Sequence, residues 1–448
     1  MRLFPKVYVQ YFLLIAFVLV MGGCQSKVYL MPSPVNMNPD GELFNLSSIT
    51  RDNHSLGEFD NLLYTLFATN RQPIASAKTS DIYTIFPSDT LKLGFTVHRV
   101  GDPDQTWEEI FEESLKTERT KELLMSSEYT RQVASFNVDD DAGSLSPQAQ
   151  GGFDQINRIL ARAFDKDILV YVHGANSNFY RATAQGSQFF HFTGHNTLVL
   201  TFSWPSAENI LKYKTDVLHA KKTIPAFARL IEILADHTKA RNINILAYSA
   251  GAQVVAPALA YFREKYPDTP TEELKQRLRI GEVYFAAPDT AFKPFIKRYL
   301  KFNELVGRMT INLNENDAVL RLAAFQNGVS SLGKPDVSEL SEQEREVILR
   351  SMKSPRLNVI DIGKSEPLNI GKAHDSWYSH PWVSADILML LLFNLDPDER
   401  GLQEHWNLDI AKTYRFPPDY DIRLRKILDE NRDLLEEKVK IKHRQQPL

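Results

Sequence analysis

From residue 153 onward, short apolar runs alternate with stretches whose apolar residues recur every three or four positions. The runs at 168–172 (ILVYV), 197–202 (TLVLTF), 243–248 (INILAY), 280–286, 309–313 and 357–362 are too short and too uniformly apolar for surface helices, and they predict buried strands. Between them, 153–164, 213–235 and 250–265 carry the helical period, with Pro225 expected to bend the second. Strands buried on both faces and joined by amphipathic helices imply a mostly parallel central sheet with helices on both faces, an α/β fold. Before this region, 62–68 (LLYTLFA) and 91–97 (LKLGFTV) predict two further strands. The polar stretch 137–152 predicts a surface loop.

Two regions break the rhythm. The polar, partly helical stretch 327–355 reads as an insertion and a candidate lid. After Leu395 the composition becomes mixed and then strongly charged. Apolar residues at helical spacing from Ile422 to Val439 give a helical extension over 397–448. The domain boundaries that follow are a signal at 1–23, a tether at 24–60, a folded domain at 61–396 and that extension.

The first residues change the picture of where this domain sits. Arg2 and Lys6 precede the apolar run 11–21, which is too short to span a bilayer comfortably, and Gly22, Gly23 and Cys24 follow. This order is that of a secretory signal, and the small residues before a cysteine resemble a bacterial lipobox. Acylation of Cys24 would make a lipid (palmitate-bearing) anchor. Gln25, where Asp would retain a lipoprotein on the inner membrane, points to the outer membrane, with the domain facing the periplasm. Cys24 is the only cysteine among 448 residues, so intramolecular disulfides and cysteine-built metal sites are excluded. The net charge of −4 gives no basic surface for nucleic acid.

The chemistry is concentrated at the end of the 243–248 run. Ala247-Tyr248-Ser249-Ala250-Gly251 places a serine where a strand turns into a helix, with small residues two before and two after it. Such a turn brings neighbouring strands so close that bulky flanks would clash, and it lifts the serine hydroxyl above a helix N-terminus. Ala247 stands where glycine is more usual, and a capping serine would fit the same short pattern. His173-Gly174-Ala175 follows the 168–172 strand, where a loop can bring a second backbone donor to a developing oxyanion. In that loop His173 is expected to be structural. An acid and a histidine must follow the serine in the chain. Asp317, after the 309–313 strand, is favoured as the acid. Asp289 is the alternative, and either could be a helix N-cap. His374, beyond the last strand, is favoured as the base over His380. Phe189, Phe190, Phe192 and Trp204 could line an acyl pocket or be plain core.

Taken together, Val172-His173-Gly174, Phe202 to Ser206, Ile245 to Gly251, Ala287-Pro288-Asp289, His374 to Tyr378 and the early Tyr64 to Arg71 (YTLFATNR) resemble a bacterial family of α/β-hydrolase-like proteins of unknown function. The resemblance covers about residues 62–395. It implies the α/β-hydrolase fold and a triad of Ser249, Asp317 and His374, with the amides of Ala250 and of Gly174 or Ala175 as oxyanion donors. The expected reaction is acyl transfer to water from a small-molecule or lipid ester, or a thioester, with no metal and no organic cofactor. An amidase or peptidase would share the triad. A binding protein that keeps the fold without catalysis is the reading from another class.

Overall fold

A computed structural model describes residues 27–35, 61–75, 82–139, 145–163, 165–195, 197–209, 212–365, 373–407 and 411–430. The expected signal at 1–23, Cys24, most of the tether and the end of the C-terminal extension lie outside them.

In chain order the strands are β1 (Leu62–Pro73), β2 (Tyr83–Val100), β3 (Met125–Asn137), β4 (Ile168–Val172), β5 (Leu198–Phe202), β6 (Ile243–Tyr248), β7 (Ile280–Ala286), β8 (Arg308–Leu313), β9 (Leu357–Asp361), β10 (Gln403–Asn407) and β11 (Ala411–Arg415). They form one sheet in the order β10-β11-β9-β8-β7-β6-β4-β5-β1-β2-β3. Neighbours from β11 through to β1 run parallel, and antiparallel pairing occurs only toward the two edges. Every residue of β4, β5 and β9 is buried, as is all of β6 except Tyr248. Only backbone paired on both sides and covered on both faces tolerates such strands.

The helices are α1 (Trp107–Ser114), α2 (Pro147–Arg162), α3 (Phe179–Phe192), α4 (Tyr213–His237), α5 (Ala252–Lys265), α6 (Thr271–Leu278), α7 (Phe292–Phe302), α8 (Ala318–Asn327), α9 (Glu342–Met352), α10 (Ser376–Ser379), α11 (Pro381–Phe393) and α12 (Tyr420–Glu430). They divide the apolar interior into two layers. On one face α2, α4, α5 and α7 pack with Ile168, Val170, Ile243, Ile245 and Val283. On the other, α3 and α11 pack with Leu169, Tyr171, Leu246 and Tyr284. The alternation of neighbouring residues between the layers is the period-2 geometry of a strand. Helix α11 is apolar all round because it is buried all round.

Four features depart from the expectations. Residues 27–35 are no polar tether. Val28, Leu30, Met31 and Val35 are buried in the second layer. The Leu30 amide donates to Leu123 O and the Met125 amide to Val28 O, both at 2.8 Å. The extension after 396 contains the hairpin β10–β11, and β11 pairs parallel with β9, so the sheet continues into it. The 327–355 stretch is the crossover from β8 to β9, with α9 laying Ile348 and Met352 on the first layer. Strand β3 is an unforeseen edge strand, polar and with only two buried residues, which hides it from a search for apolar runs. Among the described residues no helix is long and apolar enough to cross a membrane.

The order of strands fixes where a site can form. From β4 the chain crosses one way to β5, and later returns to lay β6 on the other side of β4. The loops leaving β4 and β6 therefore diverge and leave a crevice at the carboxyl edge, the position where α/β sheets bind ligands.

Buried histidines give the fold an acid-sensitive component. Full burial lowers the pKa of His98 to about 3, and desolvation at the half-buried His195 lowers its value to about 4. Both stay neutral in the fold while the unfolded chain takes up protons below about pH 6.5. Their contribution is present above that pH and lost as the pH falls. At pH 5 each costs about 2 kcal/mol relative to neutral pH. Replacing His98 with Gln should shrink the loss between pH 7 and 5 by that amount in paired urea titrations. An unchanged pH dependence would refute the assignment.

Candidate functional site

Three sheet-to-helix turns converge at the crevice. At the first, β6 ends at Tyr248, Ser249 takes φ of +49°, and a single 3-10 turn (Ser249–Gly251) leads into α5. A residue with a side chain occupies this left-handed region at a cost of about 1–3 kcal/mol, so the surroundings must enforce it. They do so through Gly251. A Cβ there would lie 2.6 Å from Val172 O and 2.8 Å from His173 O. The helix can thus approach the end of β4 only because that position has no side chain. Ala247 is fully buried between Val172 and Phe285, its register partners, and its methyl is accommodated there.

The second turn follows β8. Asp317 ends the loop and N-caps α8, its Oδ1 accepting from the amides of Val319 (2.9 Å) and Leu320 (3.0 Å). Its Oδ2 faces His374 Nδ1 at 2.7 Å. The expectation set helix cap against acid partner, and this carboxylate does both, one oxygen to each. The third follows β9, where His374 sits in a 3-10 turn ahead of α10. Its Nε2 lies 2.9 Å from Ser249 Oγ. With Nδ1–H donating to the carboxylate, Nε2 is left to accept from the hydroxyl. Ser249 and Asp317 are buried, and 16% of the His374 side chain remains exposed. Burial alone would lower the His374 pKa. The hydrogen bond and charge of Asp317, with smaller help from Asp289 and Asp375, outweigh it and raise the value above that of an ordinary imidazole.

The competitors are placed elsewhere. Asp289 accepts from Tyr213 Oη (2.6 Å) and Ser331 Oγ (3.0 Å), and its amide donates to Ser249 O. It braces the turn from behind, and burial raises its pKa. His380 accepts from the Trp382 amide as the N-cap of α11. Phe189 and Phe192 are core side chains, and Phe189 stacks on Trp377 with centroids 5.6 Å apart. A polar cavity of 360 Å³ lined by Asn244, Glu282 and Arg308 opens at the amino edge, the end of the sheet away from Ser249.

The loop after β4 is pinned through several of its backbone groups. His173 stacks on Trp204 at 5.2 Å, and the Trp204 indole donates to His173 O at 2.7 Å. Burial, reinforced by the charge of Arg71, lowers the pKa of His173 to about 3, which keeps it a neutral strut. The Asp216 carboxylate accepts from the Asn176 amide (3.4 Å), and Ser206 Oγ accepts from the Ser177 amide (2.9 Å). The buried Arg71 guanidinium donates to Ser177 O at 2.7 Å. The amides of Gly174 and Ala175 make no hydrogen bond among the described residues. A Cβ on Gly174 would lie 3.0 Å from Ser249 Cβ, so that loop lies directly beside the serine. Ala250, the next residue after Ser249, belongs to the first turn of a helical segment, whose amides have no partner within it.

Sequence reasoning missed this support. Arg71 and Asp216 act on the loop from β1 and α4, far away in the chain, and no local spacing announces them. Tyr248 packs its ring 5.5 Å from His374 and 5.2 Å from Trp377, which forms an aromatic wall behind the imidazole. An aromatic residue beside the serine was the only available signal. Among the described residues no cluster of three His, Cys, Asp or Glu side chains is arranged to hold a metal ion.

Gly251→Ala tests the packing argument. The methyl would press on two main-chain carbonyls, which have no rotamer to give way. The expected loss is about 1–3 kcal/mol in chemical denaturation. An unaltered midpoint would mean that the turn has slack.

The chain has no match among curated proteins. Residues 150–389 match the model of one family, described as alpha/beta hydrolase of unknown function (DUF900). That segment holds β4 to β9, α3 to α10 and all three turns just described. The match covers more than half of the chain, and the chain belongs to this α/β-hydrolase family.

Proposed function

We propose that this protein is a serine hydrolase that transfers an acyl group from an ester, thioester or lipid substrate to water. The reading is carried by one observation, the continuous hydrogen-bonded line Ser249 Oγ–His374–Asp317. In it, His374 Nε2 removes the hydroxyl proton as Oγ attacks the carbonyl carbon. Asp317 fixes the tautomer and stabilises the imidazolium, and His374 returns the proton to the leaving group. Water, deprotonated by the same imidazole, then releases the acyl group. The oxyanion is held by the Ala250 amide and by that of Gly174 or Ala175. Loss of one such donor typically costs about 3–4 kcal/mol of transition-state stabilisation.

The chain is further proposed to be exported and held at the cell envelope by acyl chains on Cys24, at the outer membrane facing the periplasm. This reading rests on the signal-like start of the sequence, which lies outside the described residues.

A fluorophosphonate reacts only with an activated serine, so it separates catalysis from mere possession of the fold. The parent should be labelled, and Ser249→Ala should not. Asp317→Asn should label slower by a factor on the order of 10⁴. A folded parent that resists the probe would sink the proposal. The pH dependence gives a second check. His374 must be neutral to act as base, and its pKa is raised. Labelling should therefore fall as the pH drops, with a midpoint above the ordinary imidazole value of about 6.5. In Asp317→Asn the midpoint should move down. A midpoint that stays put would remove Asp317 from the line.

A further inference from the structure

Parallel strands covered on both faces are apolar along most of their length, yet three neighbours carry polar side chains where they begin. These are Asn244 on β6, Glu282 on β7 and Arg308 on β8, and the last two are register partners. All three point to the face covered by α11, because Ile243, Ile245, Val283 and Met309 beside them belong to the opposite layer. They form the floor of the 360 Å³ cavity at the amino edge. Leu390, Leu391 and Asn394, at the C-terminal end of α11, line its other side. Asp396 also lines it, with 59% of its side chain exposed.

Most of these polar groups are engaged with one another. Arg308 donates from Nε to Glu282 Oε1 at 2.6 Å, from Nη1 to Asp396 Oδ1 and from Nη2 to Asn394 Oδ1 at 2.5 Å, so each of its nitrogens has a partner. Asn244 Oδ1 accepts from the Glu282 amide at 2.9 Å. Asp167, at the same edge, pairs with Arg241 at 2.9 Å and accepts from the Asn242 amide at 3.1 Å. Glu282 Oε2 is different. Glu282 is only 5% exposed, and this oxygen makes no hydrogen bond among the described residues. A buried carboxylate oxygen without a donor is costly. Burial accordingly raises the pKa of Glu282 in spite of Arg308.

The charges around the cavity are unequal. Asp167, Glu282 and Asp396 bring three carboxylates against the two guanidinium groups of Arg308 and Arg356, and Arg356 is exposed to water. The C-terminal end of α11 adds a partial negative charge. An anion would meet an unbonded carboxylate oxygen and a guanidinium already engaged. The carboxylates are not arranged to hold a metal ion. The group that completes the cavity is a cationic hydrogen-bond donor, and Leu390 and Leu391 suit a donor carried on methylene groups.

We infer that the amino-edge cavity binds an aliphatic primary amine, with its ammonium group donating to Glu282 Oε2 and its methylene chain lying along Leu390 and Leu391. Asp396 adds a weaker attraction from its more exposed position. This is a second binding function at the edge of the sheet away from Ser249, and it is independent of the hydrolase reading.

Isothermal titration calorimetry of the full chain tests it, with putrescine as the amine and butanediol and succinate as its neutral and anionic counterparts of equal chain length. Putrescine should bind at one site, and the other two should not. No binding of putrescine overturns the proposal, and equal binding of butanediol or succinate removes the role of the positive charge and overturns it as well. Glu282→Gln keeps an acceptor for Arg308 and replaces the unbonded oxygen with a donor. Folding of this variant is checked by circular dichroism, and it should bind putrescine about ten- to a hundredfold more weakly. Undiminished binding would place the amine elsewhere on the surface and overturn the site. Should Glu282→Gln not fold, Asp396→Asn changes a largely exposed side chain and should weaken binding about two- to threefold. Parental affinity in that variant overturns the site too. The acetylated and methylamidated derivative of lysine separates two sources of the same chemistry. Tighter binding of this derivative than of putrescine assigns the ammonium to a lysine side chain of a partner protein, and the reverse order assigns it to a free amine.

Discussion

Ser249 holds a left-handed backbone angle that a residue with a side chain adopts only under constraint. The constraint comes from the approach of α5 to the end of β4, allowed by the missing side chain at Gly251. That approach does two things together. It turns the hydroxyl away from the sheet, and it brings the amino end of a helical segment beneath it, where free amides favour negative charge. Position and polarity of the serine thus follow from one steric fact. The other groups of the site are placed relative to this turn, each by its own strand end.

Economy of bonding holds the rest in register. Asp317 shares one carboxylate between the first turn of α8 and His374, so the orientation of the imidazole is tied to the start of a helix rather than to a free side chain. Asp289 receives Tyr213 from α4 and Ser331 from the β8–β9 crossover, and gives its own amide to Ser249. The loop after β4 is fastened by Arg71, Asp216, Ser206 and Trp204, while the amides of Gly174 and Ala175 beside the serine make no hydrogen bond among the described residues. A buried polar network of this kind is rigid because each unmet group would cost about 1–3 kcal/mol.

How much of this was legible varied with the range of the interaction. The parallel core could be read because β4, β6 and β7 are buried on both faces and leave unbroken apolar runs. Ser249, Asp317 and His374 could be singled out because each follows such a run, and the geometry brings those three together while giving Asp289 and His380 other partners. Strand β3 and the β10–β11 hairpin escaped notice because edge strands alternate weakly and expose polar side chains. The burial of Val28, Leu30 and Met31 escaped for a different reason. Their partners are on α3 and around Leu123, and a Pro- and Asn-rich context masks these three apolar residues. Arg71 lies in the YTLFATNR segment that carries the family resemblance, but its bond to Ser177 O spans more than a hundred residues.

The pairing of β1 has a consequence for the order of assembly. Its parallel partner is β5, with Leu66 opposite Leu200. The antiparallel meander of β1, β2 and β3 is local and can form as soon as it leaves the ribosome. Its inner edge then stays open until more than sixty further residues have been made, and an open edge invites pairing with other chains. Closure of so distant a contact is slow. The nascent protein therefore passes through a stage in which three of the eleven strands of its sheet are ready and unsealed. Escape from self-association at that stage depends on how quickly the β4–β5 unit arrives to dock.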